Sequence, residues 1–114
     1  MRKEFAVKPI ALPQPVFIIG TYDKDGTPNA MNAAWGCHNE MDQMMFALAK
    51  GHKTVKNLLE TKAFTVSMGT VEQLAACDYV GLVSGSRNRG KWKRPAFTRK
   101  KPFTSTPRTL RNCP

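Results

Sequence analysis

Five consecutive residues, Lys50-Gly51-His52-Lys53-Thr54, carry the densest chemistry in the chain. Two ammonium groups, an imidazole and a hydroxyl surround one glycine, and helical spacing begins directly afterwards. Val55, Leu58 and Leu59 recur at i, i+3 and i+4 with Lys56 and Glu60 outside them, so a helix is expected from Thr54 with that apolar stripe inward. A helix start exposes unpaired backbone N–H groups and the positive end of the helix dipole, and cations beside it suit a phosphate. A solvated helix start with incidental basic residues has the same composition, and spacing alone does not separate the two readings. No Walker-type loop and no Gly-x-Gly-x-x-Gly after a strand occurs, so nucleotide folds built on those loops lack support.

A second candidate is Asn29-Ala30-Met31-Asn32-Ala33-Ala34-Trp35-Gly36, where small side chains would let a flat ring lie against the backbone. A close-packed strand with Trp35 in the core fits the same residues. His38, beside Cys37, reads as a loop histidine, and Met41, Met44 and Met45 as core filler or the lining of an apolar groove. No Ser-His-Asp order, nucleophile elbow or catalytic carboxylate pair is visible, so no side chain is assigned a catalytic role. Cys37, Cys77 and Cys113 lie 40 and 36 residues apart. That odd, wide set matches neither a disulfide framework nor a structural zinc site, and buried free thiols are expected. A Cys37–His38–His52–Cys77 metal site can be drawn, but no short ligand spacing supports it, and no metal is assigned.

These segments need elements to position them. Val16 to Tyr22 is β-branched and aromatic, the pattern of a buried strand, and Asp25-Gly26 after it signals a hairpin. Pro28 opens the next run, where a strand tolerates proline, so residues 29–36 are expected to be extended. Met44 to Ala49 reads as a third strand and Phe64 to Met68 as a half-buried one. Thr70 and Gln73 form a capping box for a short helix through Cys77, and Gly81 to Gly85 reads as a loop. The order strand, strand, strand, helix, strand, helix predicts a mainly β chain with short helices (α+β), barrel-like rather than doubly wound.

The chain has 114 residues, 41% of them hydrophobic, which suffices for one small domain. It has no apolar run of about 18 residues, and Pro15 to Ile19 is too short for a signal-peptide core, so a cytoplasmic location is expected. The net charge of +10 is unevenly placed. Residues 1–85 hold eight basic and eight acidic residues, whereas residues 86–114 hold ten basic residues and no acid. Two regions are therefore expected: a neutral domain over 1–85 and a basic, proline-containing, disordered tail over 86–114.

Several ordered blocks resemble the flavin reductase-like family. They are Pro15-Val16-Phe17 through Gly20-Thr21, Asp25-Gly26-Thr27-Pro28 through Trp35-Gly36, and His52 through Leu59. Ala63-Phe64-Thr65-Val66-Ser67 and Ala76-Cys77-Asp78-Tyr79-Val80-Gly81 through Gly85 complete the set, which covers residues 8–85. The resemblance is to flavoredoxin and the small reductase components that use the FMN-binding split barrel, usually as homodimers. It implies that Asn29, Ala30, Met31, Asn32, Ala33, Ala34 and Trp35 flank the isoalloxazine and ribityl chain, partly through backbone groups. It implies that His52, Lys53 and Thr54 hold the FMN phosphate, and that Ser84 and Gly85 belong to a loop near the flavin. The activity it implies is flavin reduction with NAD(P)H as a possible electron donor, or flavin-mediated electron transfer. In such proteins the flavin carries the electrons while the protein binds and tunes it.

Family members continue for roughly another hundred residues, within the usual range for one domain. Here the match gives way to the basic run after Ser84-Gly85. Back-translated with suitable synonymous codons and read from each third base, residues 91–97 yield Val-Glu-Lys-Ala-Gly-Phe, which resembles the family's continuation. The leading expectation is a frameshift near codons 85–87, leaving an incomplete split barrel with unpaired strand edges. The competing reading is a nucleic-acid binder in which the tail, with Trp92, Phe97 and Phe103 interleaved, wraps RNA. An inactive fragment is the third.

Overall fold

Strand β1 (Phe17–Tyr22) is the spine of the molecule, because its alternating side chains enter two separate cores. In the computed structural model, which describes residues 3–4, 6–8 and 12–91, it pairs antiparallel with β2 (Pro28–Ala33) on one side. On the other side it pairs antiparallel with β5 (Thr65–Met68), giving the order β2-β1-β5. The β1–β2 turn uses Gly26 at φ +78°, a left-handed conformation that glycine adopts without steric cost, so the Asp-Gly signal is realised. Gly26 N–H donates to the Asp23 carbonyl at 2.9 Å, and Asp23 N–H donates to the Thr27 carbonyl at 2.9 Å. Proline is tolerated at the first residue of β2 because that strand forms an edge.

Phe17 and Ile19 lie with Ala33 on one face, joined by Met31, Phe46, Leu48 and Val66. The Phe17 and Phe46 rings meet edge to face at 5.4 Å. Ile18 lies on the opposite face with Cys77 and Val80, joined by Val16, Ala30 and Tyr79. Helix α1 (Lys53–Thr61) packs on β1 and β2, with Thr54 and Asn57 turned inward. Helix α2 (Leu74–Leu82) covers the face that holds Ile18.

Strand β3 (Gly36–Glu40) and strand β4 (Gln43–Phe46) form a separate antiparallel hairpin. The two sheets do not close on one another among the described residues. The architecture is mainly β with short helices, an incomplete split barrel. Met68, Val71, Leu74 and Leu82 are exposed along β5 and α2.

Several expectations need correction. The extended segment beginning at Asn29 stops at Ala33, the chain bends at Ala34 and Trp35, and a strand follows that the sequence reading did not contain. Trp35 is 51% exposed rather than a core residue. The strand expected at Met44–Ala49 ends at Phe46. Cys37 is exposed on the hairpin, and only Cys77 of the described thiols is buried; Cys113 lies outside the described residues. Helix α2 continues past Cys77 to Leu82 and is entered through a single 3-10 turn, Val71–Gln73. There the Thr70 N–H donates to Gln73 Oε1 at 3.3 Å, as the capping box requires.

Candidate functional site

Because β2 is a sheet edge among the described residues, every second residue points its backbone polar groups away from the sheet. The amino-terminal turn of α1 approaches this edge from one face, and the end of α2 with residues 81–85 approaches from the other. Between them lies a cleft of about 300 Å³ lined by Asn29, Met31, Asn32, Gly51, His52, Lys53, Thr54, residues 80–85 and Lys91. Asn29 and Met31 come from the α1 face and Asn32 from the α2 face, which only an edge strand can offer to a single cleft.

A buried polar cluster fixes the helix start. Asn29 Nδ2 donates to Thr54 Oγ1 at 2.9 Å and to Thr21 Oγ1 at 3.4 Å, and Asn57 Nδ2 donates to Thr21 Oγ1 at 3.1 Å. Thr21, Asn29, Thr54 and Asn57 are all buried, so these bonds tie β1, β2 and α1 together where water does not compete. Gly85 packs directly on the Asn29 amide: a Cβ at that position would overlap Asn29 Oδ1. Among the described residues, Asn29 Oδ1 and Asn57 Oδ1 are buried with no hydrogen-bond partner, and Asp23 Oδ1 has no hydrogen bond and only its ion pair with Lys53.

His52 is the N-cap of α1, and its carbonyl accepts from Val55 N–H at 3.1 Å and Lys56 N–H at 3.2 Å. By helix geometry the N–H groups of Lys53 and Thr54 have no earlier carbonyl within the helix to bond, and both residues line the cleft. Lys53 lines this cleft and also a second, charged one of about 420 Å³ that holds Asp23, Lys24, Asp25, Lys56, Glu60 and Arg89. Its ammonium pairs with buried Asp23 Oδ1 at 2.8 Å. Arg89 reaches Asp23 Oδ2 at 3.3 Å and also pairs with Asp25. The Thr27 backbone N–H, the Thr27 hydroxyl and Arg89 together pull the Asp25 carboxyl down to about 2. The hydrogen bond and charge of Asp25, with a smaller contribution from Asp23, raise the Arg89 pKa further.

Lys91 is 4% exposed and closes the carboxyl end of α2. Its Nζ donates to the Val80 carbonyl at 3.0 Å and the Val83 carbonyl at 2.8 Å, satisfying carbonyls that a helix end leaves open. Burial pushes the Lys91 pKa below the ordinary lysine value. Within residues 86–91, which are largely exposed, Arg89 and Lys91 thus contact the residues before them. Residues 92–114, including Trp92, Phe97 and Phe103, lie outside the described residues.

Of the residues singled out from sequence, the cleft gathers Asn29, Met31, Asn32, His52, Lys53, Thr54, Ser84 and Gly85. Ala30 lies on the α2 face in the second core, Ala33 is buried beside Phe17, and Ala34 and Trp35 follow the end of β2; none of these four lines it. Sequence reasoning missed Thr21, Asp23, Asn57, Arg89 and Lys91. Asp23 and Thr21 flank the legible hairpin turn, but nothing in their spacing shows which cations or amides they meet. Among the described residues no group of three or more His, Cys, Asp or Glu side chains is placed to hold a metal ion, and no helix is long and apolar enough to cross a membrane.

The family model described as "Flavin reductase like domain" matches residues 10–113, running beyond the Ser84-Gly85 block. Flavoredoxin of Desulfovibrio vulgaris (Miyazaki F) is 35% identical, with a TM-score of 0.73 over 82% of this chain and 51% of its own. Flavoredoxin from Methanosarcina acetivorans, at 23% identity and TM-score 0.67, is matched over 87% of this chain and 55% of its own. An FMN-binding domain of a flavin reductase-like enzyme from Shewanella baltica OS155, at 22% identity and TM-score 0.73, is matched over 82% and 49%. The chain thus spans about half the length of these solved structures. No curated protein matches.

Proposed function

The chain belongs to the flavin reductase-like domain family, and from that premise we propose that it binds FMN, as part of an oxidoreductase that reduces flavin with NAD(P)H or passes electrons through it. The observation that carries this reading is the convergence of Lys53, His52, Thr54, Asn29 and Gly85 on one cleft, at a helix start beside an open strand edge. These residues fit a phosphate monoester. Lys53 supplies a cation, the first turn of α1 supplies free N–H groups, and the absence of a side chain at Gly85 keeps the loop close to Asn29. The cleft volume is at the lower end for ligand pockets, so the described residues serve the phosphate end and the edge of the flavin beside Met31 and Asn32.

In this reading Lys53 and His52 orient the phosphate, and the β2 edge offers backbone groups to the ring. The Thr54 hydroxyl accepts from Asn29 and locks the helix start, which leaves its O–H to donate toward the cleft. Bound there, the flavin supplies the hydride or electron transfer. No side chain is required as an acid or base. A homodimer is part of the proposal, supported by the exposed Trp35, Met44 and Met45 around the β3–β4 hairpin.

The test is a titration of FMN and of riboflavin, followed by flavin fluorescence quenching. The wild-type chain is expected to prefer FMN, and Lys53→Ala is expected to lose about tenfold or more for FMN, the scale of one charge-assisted hydrogen bond. Riboflavin affinity should change little. Equal affinity of the wild type for the two flavins would refute the reading.

A further inference from the structure

Asp23 is buried and holds two cations at once, Lys53 on Oδ1 at 2.8 Å and Arg89 on Oδ2 at 3.3 Å. Lys53 lies on the wall shared by both clefts, whereas Arg89 lines only the charged one. A buried carboxylate does not release its counter-ion freely, because an uncompensated charge away from water is strongly destabilising. With Lys53 as its only partner, Asp23 would compete directly with any anion that Lys53 serves. A second cation already seated on the other oxygen removes that conflict.

We propose that Arg89 is a positioning residue for anion binding: it neutralises Asp23 and Asp25 so that the Lys53 ammonium can turn from Asp23 to an incoming phosphate. This rests on the reading of the first cleft as a flavin-phosphate site. Arg89 touches no ligand in this scheme and does not line the first cleft. Its link to Asp25 and its contact with Thr27 Oγ1 at 3.5 Å hold the guanidinium over the β1–β2 turn, on the carboxylate that Lys53 would leave. No bond is made or broken; one ion pair is exchanged for another.

The experiment compares wild type, Arg89→Gln, Arg89→Lys, Asp23→Asn and the Asp23→Asn/Arg89→Gln double variant, titrated with FMN and riboflavin at one ionic strength. Arg89→Gln is expected to weaken FMN binding by about 3- to 10-fold, the scale of coupling within one charge network. Riboflavin should stay within about twofold, and Arg89→Lys should retain most of the FMN affinity. In the Asp23→Asn background, where Lys53 has no carboxylate to leave, Arg89→Gln should change FMN affinity by less than about twofold. An equal loss in both backgrounds means that Arg89 acts only as a distant positive charge, and overturns the inference. So does an FMN preference untouched by Arg89→Gln.

A second measurement stands even if Asp23→Asn does not fold. In the ligand-free chain, Lys53 should acylate about two- to threefold more slowly in Arg89→Gln than in wild type, because Asp23 then retains it more firmly. An unchanged rate refutes the shared grip. A wild-type chain with no preference for FMN over riboflavin defeats the flavin-phosphate reading and this inference with it, whereas the outcomes above defeat this inference alone.

Discussion

Replacing Lys91 by Met tests whether the chain after Gly85 is structural. Lys91 Nζ makes two hydrogen bonds, at 3.0 and 2.8 Å, to carbonyls at the end of α2. Hydrogen bonds involving a charged group contribute about 1.5–3 kcal/mol each. Taking the ammonium out of water offsets several kcal/mol of that. Methionine refills most of the volume, so the main loss is two carbonyls left without their donor, a net destabilisation of about 2 kcal/mol. For a domain of this size that corresponds to a melting point lower by roughly 10 °C. Thermal unfolding followed by circular dichroism, with the urea midpoint as a second probe, measures it. Ending the chain after Gly85 should cost at least as much, because it removes Arg89 as well. A melting point within about 2 °C of wild type would refute the assigned role.

Burial lowers the folded pKa of Lys91 from the ordinary 10.5. Between the lowered value and 10.5 the unfolded chain therefore holds a proton that the folded chain lacks. Stability from this residue must then rise with pH through that window. The wild type should gain on Lys91→Met as the pH climbs toward 10.5. A gap that shrinks instead contradicts the burial.

Gly85→Ala places a methyl group against the Asn29 amide, which is itself held by Thr54 and Thr21. Overpacking of this kind costs about 1–3 kcal/mol, so both the melting point and FMN affinity should fall. Gly51→Ala, with no heavy atom within 4 Å of the added Cβ, should leave the melting point nearly unchanged in the same assay. Asn57→Ala removes a fully buried amide that donates to Thr21 and should cost about 1–3 kcal/mol in urea unfolding. Leu59→Ala should cost less than Asn57→Ala because Leu59 is 59% exposed. The reverse order would restore the apolar stripe as the inward face.

The parts legible in the sequence were those whose cause is local. Val16 to Tyr22 announces a strand by its β-branched and aromatic residues, and Asp25-Gly26 announces a turn that needs a left-handed residue. Lys53 and its neighbours announce a helix start, and the helix begins there. Strand β3 was illegible because Gly36-Cys37-His38-Asn39-Glu40 alternates nothing and is almost wholly exposed, so pairing with β4 alone defines it. Asp23, Arg89 and Lys91 were illegible because their partners lie far along the chain or are backbone carbonyls. A run of basic residues reads as a solvated tail until the carboxylates and helix end that receive it are in place.

The inward face of α1 shows how a buried polar cluster overrides a periodic pattern. By the stripe, Val55, Leu58 and Leu59 should seek the sheet, yet Thr54 and Asn57 are the buried residues and Leu59 faces out. The opposing surface decides this. The first core is apolar where Phe17, Ile19 and Ala33 lie, but β1 and β2 present Thr21 and Asn29 to the helix start, and apolar side chains there would leave these two only the 3.4 Å bond between them. Polar residues on the helix satisfy the hydroxyl of Thr21 and fix the first turn at a set distance from the β2 edge. That distance sets where Lys53 and the free N–H groups of the first turn meet the cleft. Amphipathicity read on the helix alone is therefore offset from the inward face, with Val55 and Leu58 half-buried, because at the helix start the sheet beneath is not apolar.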